Sequence, residues 1–223
     1  MFPEPDAARI FEEVLAAHLD VVRQIRDCRG GLAAIAHLMA KSLRAGGKIL
    51  WCGNGGSAAN SQHLAAEMVG RFRTQRCALA ALALTTDSSI LTALADDFGY
   101  ETVFARQVEA LGHPGDVLVG ISTSGNSPNV VAALERARAL GLSTVAFTGA
   151  EGGKAARIAA SLFAVPCRDR ARIQEAHILA GHMLCDWIEQ DYLLTESRLR
   201  QIAAAAQALA ARPEAAMLFL EVA

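Results

Sequence analysis

The sequence predicts an α/β fold: one domain built on an open, five-stranded parallel sheet flanked by helices, flavodoxin-like or Rossmann-like and three layers deep, with further helices at both ends. Three observations carry the prediction. Twice, a short apolar run is followed by a polar loop containing glycine and then by helical periodicity, the strand, turn and helix of a βαβ unit. The composition is 52% hydrophobic but only 5% aromatic, so this 223-residue chain builds its core from small aliphatic side chains between helices and strands. Neither a Gly/Ser-rich linker nor a tandem repeat divides it.

Taken in order, Ile10, Phe11, Val14, Leu15, Val21, Val22 and Ile25, then Leu32, Ile35, Ala36 and Met39, recur at helical spacing. They predict two long helices between Pro5 and Leu43, broken near Arg29-Gly30-Gly31. Lys48 to Cys52 reads as a strand, Gly53 to Ser57 as its loop, and the stretch to about Phe72 as a helix. A strand around Ala80 to Leu84 fits between this unit and the next. Asp116 to Ile121 is the second clear strand, followed by the loop Ser122 to Ser127 and a helix from Pro128 through Leu140. Ser143 to Thr148 and the weaker Ser161 to Val165 complete the sheet. Both polar loops then sit at strand carboxyl ends, where open sheets of this kind place ligands. Arg172 to about Tyr192 reads as one long helix, and Gln201 to Ala211 as an alanine-rich helical extension stopped by Pro213. Met217 to Val222 is apolar and has no assigned place.

Several functional classes are disfavoured at this point. Met1 to Ile10 has no basic leader or apolar run, and the longest apolar run, Cys77 to Leu84, is too short to span a bilayer, so a cytoplasmic, membrane-free location is expected. The five cysteines are odd in number, dispersed and never paired as C-x-x-C, and are read as reduced core thiols. A net charge of −2 without a basic block gives no electrostatic footprint for direct nucleic acid binding.

The chemistry-bearing residues fall in four places. Ser122, Thr123, Ser124 and Ser127, with Gly125 between them, offer four hydroxyls beside a helix start whose free N–H groups favour an anion. Such a loop could cradle a phosphate dianion without lysine or arginine. Gly53-Asn54-Gly55-Gly56-Ser57 matches neither a dinucleotide fingerprint nor a P-loop, but its missing β-carbons let a ligand approach the backbone, and Ser57 is placed to cap the next helix. His63 and Glu67 stand at i and i+4, on one helix face, able to share a cation; the same spacing also describes an ordinary surface pair. The late helix carries Gln174, Glu175, His177 and His182 on an apolar background. At about 100° per residue Glu175 nearly coincides with His182 and Gln174 lies about 80° away, so periodicity does not choose between them as a metal ligand. His177 is expected to be an ordinarily hydrogen-bonded histidine.

Cys52-Gly-Asn-Gly-Gly-Ser57, His63-x3-Glu67, Gly70-Arg-Phe72, Asp97-Phe-Gly99, Gly120-Ile-Ser-Thr-Ser-Gly-Asn-Ser127 and Arg172-Ile-Gln-Glu-x-His177 together resemble the phosphoheptose isomerases of the sugar isomerase (SIS) family, from about Gly46 to Glu189. The resemblance implies a zinc ion, one per subunit, among His63, Glu67, Gln174 and His182. It implies a phosphate held by Ser122, Thr123, Ser124 and Ser127, and a sugar pocket lined by Asn54, Gly55, Gly56, Ser57, Glu67, Asp96, Asp97 and Gln174. It further implies an aldose-ketose isomerase of sedoheptulose 7-phosphate, with Glu67 as base and His182 as its partner, feeding nucleotide-activated heptose to the cell envelope. A homotetramer with active sites near subunit boundaries is implied as well. On this reading residues 1–45 are N-terminal helices that pack on the domain and on neighbouring subunits, 46–194 the phosphosugar-binding domain, and 195–223 a helical extension. Ala171 stands where some relatives carry an aspartate, with Asp169 displaced by two positions. The competing expectations are a noncatalytic SIS-fold tetramer that binds the replication initiator, which in the resemblance lacks the acidic and imidazole groups at 67 and 182, and a phosphosugar sensor.

Overall fold

Five short strands, β1 (Ile49–Gly53), β2 (Ala81–Ala83), β3 (Val117–Ile121), β4 (Ser143–Thr148) and β5 (Ser161–Ala164), pair in the order β2-β1-β3-β4-β5, every neighbour parallel. This is the arrangement of a computed structural model that describes residues 5–210. Around the sheet lie α1 (Ala7–Ile25), α2 (Arg29–Arg44), α3 (Gly56–Val69), α4 (Ser88–Phe98), α5 (Val103–Leu111), α6 (Pro128–Ala139), the single turn α7 (Ala155–Ile158) and α8 (Arg170–Ala210).

β1 and β3 are buried at every position, as strands covered on both faces must be. Their side chains alternate between two cores. Ile49, Trp51, Val117 and Val119 meet α2, α3 and α8 through Met39, Leu64, Met68 and Leu184, whereas Leu50, Cys52 and Leu118 meet α5 and α6 through Phe104, Val130 and Leu134. Ile49 registers with Val117 and Gly53 with Ile121, so the two strands end level and their loops emerge side by side. The chain turns outward in opposite directions from this pair, to β2 on one side and β4 on the other, which makes it the switch point of the sheet. At the other end of the same strands Asp116 accepts the backbone N–H groups of Lys48 and His113 and the Lys48 ammonium, at 2.6–2.9 Å, tying the two strand entries together.

The sequence placed the five strands within one or two residues, while two of its helix readings and one cysteine reading need correction. The interruption between α1 and α2 lies at Arg26–Cys28, where one 3-10 turn tightens the helix; Gly30 and Gly31 sit inside the first turn of α2. The two late helices are one, α8, since the residues between Tyr192 and Gln201 include neither glycine nor proline to stop it. Cys77 is exposed, against the expectation of core thiols, because the segment before β2 runs along the surface; Cys52 and Cys185 are buried, which pushes both thiols up to about 12. Pro213 and Met217–Val222 lie outside the described residues.

The segment after α3 is fixed by one buried acid. Glu189 on α8 accepts the N–H groups of Phe72, Arg73 and Thr74 at 2.7–2.9 Å and faces the Arg76 guanidinium at 3.2 Å, both side chains almost fully buried. Burial by itself would raise its pKa, but the three N–H donors and Arg76 hold it below the ordinary carboxylate value. Glu189→Gln removes one partner of a buried pair and should cost about 3–5 kcal/mol of unfolding free energy. Because the folded pKa is the lower one, the wild-type contribution should be complete above the unfolded value of about 4.3 and be lost as pH falls through the folded value. Urea midpoints of both proteins between neutral and acid pH would check this: the two curves should converge at low pH.

Candidate active site

The two loops of the switch point enclose one cavity of about 390 Å³. Asn54, Gly55, Gly56 and Ser57 line one side, Ser122, Thr123, Ser124 and Ser127 the other, and Gln174 and Arg170 reach in from the start of α8. Gly55 adopts φ 56°, ψ −120°, a backbone state open to glycine, and it is this turn that starts α3. Ser57 does not cap that helix, since Gly55 occupies the N-cap and Ser57 lies buried in the first turn. In the serine loop Ser127 stands at the N-cap of α6, yet its hydroxyl pairs with Ser122 at 2.9 Å instead of bonding a helix N–H. Ser124 Oγ accepts the Asn126 N–H, while the Asn126 amide turns to the Lys154 N–H and the Ser124 carbonyl.

Asn54 is less free than a sugar-binding side chain would be. Its amide forms a reciprocal pair with Asn129, both bonds 2.8 Å, and its Oδ1 also accepts the Tyr100 hydroxyl at 3.2 Å. The network anchors the glycine loop to α6, and neither Tyr100 nor Asn129 was signalled by the sequence. Asp96 and Asp97 are exposed near the end of α4 and do not line this cavity.

α3 and α8 bring the titratable residues together. His63 Nε2 lies 2.9 Å from His182 Nε2 and 3.4 Å from Glu67 Oε1, and one donor atom from each of the three residues falls within 4.8 Å of the others. Burial lowers the His182 pKa, with His63 adding to the shift and Glu67 opposing it, so its imidazole is neutral at pH 7 and can act as a ligand. A tetrahedral zinc with nitrogen ligands at 2.0–2.1 Å sets neighbouring donors about 3.3 Å apart, so this trio fits that ion in both chemistry and spacing. Phe72 packs on His182 with ring centroids 5.4 Å apart, and through it the Glu189 clamp reaches the cluster.

The late helix sorts its polar residues by contact. Gln174 lies against Gly56, where a β-carbon would come within 2.7 Å of its amide. Glu175 turns away to Arg172 at 2.6 Å and to His18 of α1 at 2.7 Å, which removes it from the cavity despite its favourable azimuth. His177 is buried between Phe147 and Phe163 and bonds the Thr148 carbonyl; burial lowers its pKa to about 4, and it is the structural histidine expected.

Residues 13–149 match the SIS domain family. A phosphoheptose isomerase of Akkermansia muciniphila is 52% identical over 172 residues, 77% of this chain and 91% of the relative. That of Paramagnetospirillum magneticum is 63% identical over 148 residues, 66% of this chain and 77% of its own. The chain belongs to the phosphoheptose isomerase family of SIS-domain proteins. Among solved structures, the phosphoheptose isomerase of Francisella tularensis superposes with a TM-score of 0.81 at 34% identity, covering 83% of this chain and all of that one. The Neisseria gonorrhoeae enzyme gives 0.74 at 46% identity, with 81% and 99% covered. The family match ends at Gly149, ahead of α8, so the late half of the site rests on the longer pairwise similarities.

One residue outside the predicted set controls how close the two helices come. A β-carbon at Gly181 would lie 2.4–2.5 Å from the Leu64 methyls, and Leu64 is fully buried. Gly181→Val should push α8 off α3, cost about 1–3 kcal/mol by overpacking and move His182 away from His63. Thermal unfolding reads the first effect, and the NMR shifts of the two imidazoles read the second.

Proposed function

We propose that this protein is an aldose-ketose isomerase that converts D-sedoheptulose 7-phosphate to D-glycero-D-manno-heptose 7-phosphate through an enediol. The observation that carries the reading is the pairing of a hydroxyl-lined anion cradle with a carboxylate and imidazole cluster on helices starting at the same cavity. α3 runs from the glycine loop to His63 in two turns, about 10 Å, a span suited to an extended sugar phosphate with its phosphate among the serines. The family's name supplies the reaction class, and the site supplies groups able to perform it.

Ser122, Thr123, Ser124 and Ser127 bind the phosphate and so fix which end of the sugar faces α8. Asn54, Gly55, Gly56, Ser57 and Gln174 hold the sugar, the contact at Asn54 falling to the backbone because its amide is engaged. Glu67 takes a proton from C1 of the ketose and returns it to C2, and neutral His182 moves the proton between the two oxygens. His63, Glu67, Gln174 and His182 would hold zinc, which when bound acts as Lewis acid and template for the carbonyl and hydroxyl oxygens. The trio's spacing and the neutral His182 support that ligand set.

Asp96 and Asp97 join a sugar pocket only if α4 is brought to it or to a neighbouring subunit's site. A homotetramer accommodates this. Phe11, Val14, Leu15 and Leu19 form an exposed apolar stripe on α1, and Val69 and Met183 are exposed beside Glu67 and His182. These surfaces support subunit contacts close to the active site. No described helix is long and apolar enough to cross a membrane, in keeping with a cytoplasmic enzyme that supplies heptose for the cell envelope.

The deciding experiment follows sedoheptulose 7-phosphate by NMR with protein as isolated, after chelation, and after zinc is restored. Zinc-dependent formation of the aldose is the expected result. Binding without turnover in zinc-loaded protein would overturn the enzymatic reading in favour of a sensor or a noncatalytic interaction protein. Glu67→Gln should lower kcat by about 10²- to 10⁴-fold with phosphate affinity retained, whereas Ser124→Ala should raise KM first; steady-state kinetics with inorganic phosphate as competitor separates them.

A further inference from the structure

The cavity at the serine loop continues past it. A second hollow, about 210 Å³, lies on the far side, lined by Gly149, Ala150, Glu151, Cys167, Arg168 and Ile173. It shares three residues with the first: Thr123, Ser124 and Arg170. Arg170 therefore stands at the junction, beside the part of the loop that carries the hydroxyls. Gln174, one helical turn later and on the same face of α8, reaches the glycine loop. The two side chains divide the cavity between them, the amide at the sugar end and the guanidinium at the serine end.

The neighbouring arginines are committed elsewhere. Arg168 pairs with Glu151 at 3.4 Å, and Arg172 with Glu175 at 2.6 Å and the Val14 carbonyl at 2.8 Å. Arg170 makes no hydrogen bond or ion pair with any described residue, and it is the one charged side chain among those lining the first cavity. A guanidinium stays protonated at all working pH values and matches two phosphate oxygens at once. Hydroxyls and N–H groups alone would leave most of a dianion's charge unbalanced.

We propose that Arg170 is the charged phosphate clamp of this site, closing over the anion held by Thr123 and Ser124 and selecting phosphorylated substrates. The inference rests on the phosphosugar reading given above. It does not require that the bound sugar be turned over.

The test uses the full chain loaded with zinc and inorganic phosphate as probe, measured by calorimetry and as a competitive inhibitor of sedoheptulose 7-phosphate isomerisation. A hydrogen-bonded contact to a charged group is worth about 1.5–3 kcal/mol, so Arg170→Gln should raise the phosphate Kd about tenfold to hundredfold. KM should rise in parallel. Arg170→Lys, which keeps the charge without the fork, should fall between the two proteins. Arg168→Gln, whose guanidinium belongs to Glu151, should change the Kd far less. Unchanged phosphate affinity in Arg170→Gln, or an equal loss in Arg168→Gln, would overturn the assignment. Should Arg170→Gln fail to fold, Arg170→Lys still decides it, with an unaltered phosphate Kd as the adverse outcome. Failure of the wild type to isomerise the sugar would sink the enzymatic reading alone, because the phosphate titration still reports on Arg170.

Discussion

The buried carboxylate of Glu189 holds the chain that leaves α3 against the middle of α8, and the site depends on that apposition. Three backbone N–H groups and a guanidinium converge on it, so residues 72–76 have one place to lie. An uncompensated acid there would be costly, and a neutral replacement would leave Arg76 buried without its partner. With the segment fixed, Phe72 packs on His182, and α3 meets α8 closely at Gly181, which has no side chain to keep Leu64 away. His63 and Glu67 then face His182 across the contact. The cluster is a consequence of helix packing, and the packing is a consequence of a buried polar clamp.

The sheet makes the other half of the site for a different reason. In-register pairing of β1 with β3 ends both strands at the same level, and each leaves through a loop at its carboxyl end. Glycine at 55 and the hydroxyls of 122–127 shape those loops into opposite walls of one cavity. The walls are rigid where they meet the protein: the Asn54–Asn129 amide pair locks the glycine loop, and the Ser122–Ser127 contact closes the base of the serine loop. A preorganised cradle of this kind pays no reordering on binding. Dipoles and hydroxyls carry only partial charge, and in the proposed phosphate site Arg170 supplies the rest.

The polar residues at the start of α8 show how a single helix serves several purposes at once. Gln174 and Arg170 face the cavity, Arg172 and Glu175 face α1 through Val14 and His18, and His177 is sealed in the sheet-facing core. Neighbours in sequence thus belong to the cavity between the two loops, a helix-helix contact and a hydrophobic core. The exposed apolar stripe of α1 marks the side on which a single copy of the chain leaves its hydrophobic pattern uncovered.

The sheet and its two polar loops were legible in the sequence because their signals are local: apolar runs of strand length, glycines after them, four hydroxyls in six residues, and motifs that together resemble one family. The i, i+4 spacing of His63 and Glu67 was equally local, and it put them on one face without saying what that face meets. Choosing Gln174 over Glu175 for the cavity, joining His182 to His63, recognising Gly181 and Glu189, and separating exposed Cys77 from the buried thiols all required the tertiary structure. So did the placing of Arg170 against the cavity, one of three arginines between 168 and 173 in a stretch where charge alone does not tell a cavity-lining residue from a surface pair. The reason is common to all of them. Each role is set by what stands opposite the side chain, at sequence separations of tens to more than a hundred residues, and periodicity within one helix carries no information about its neighbour.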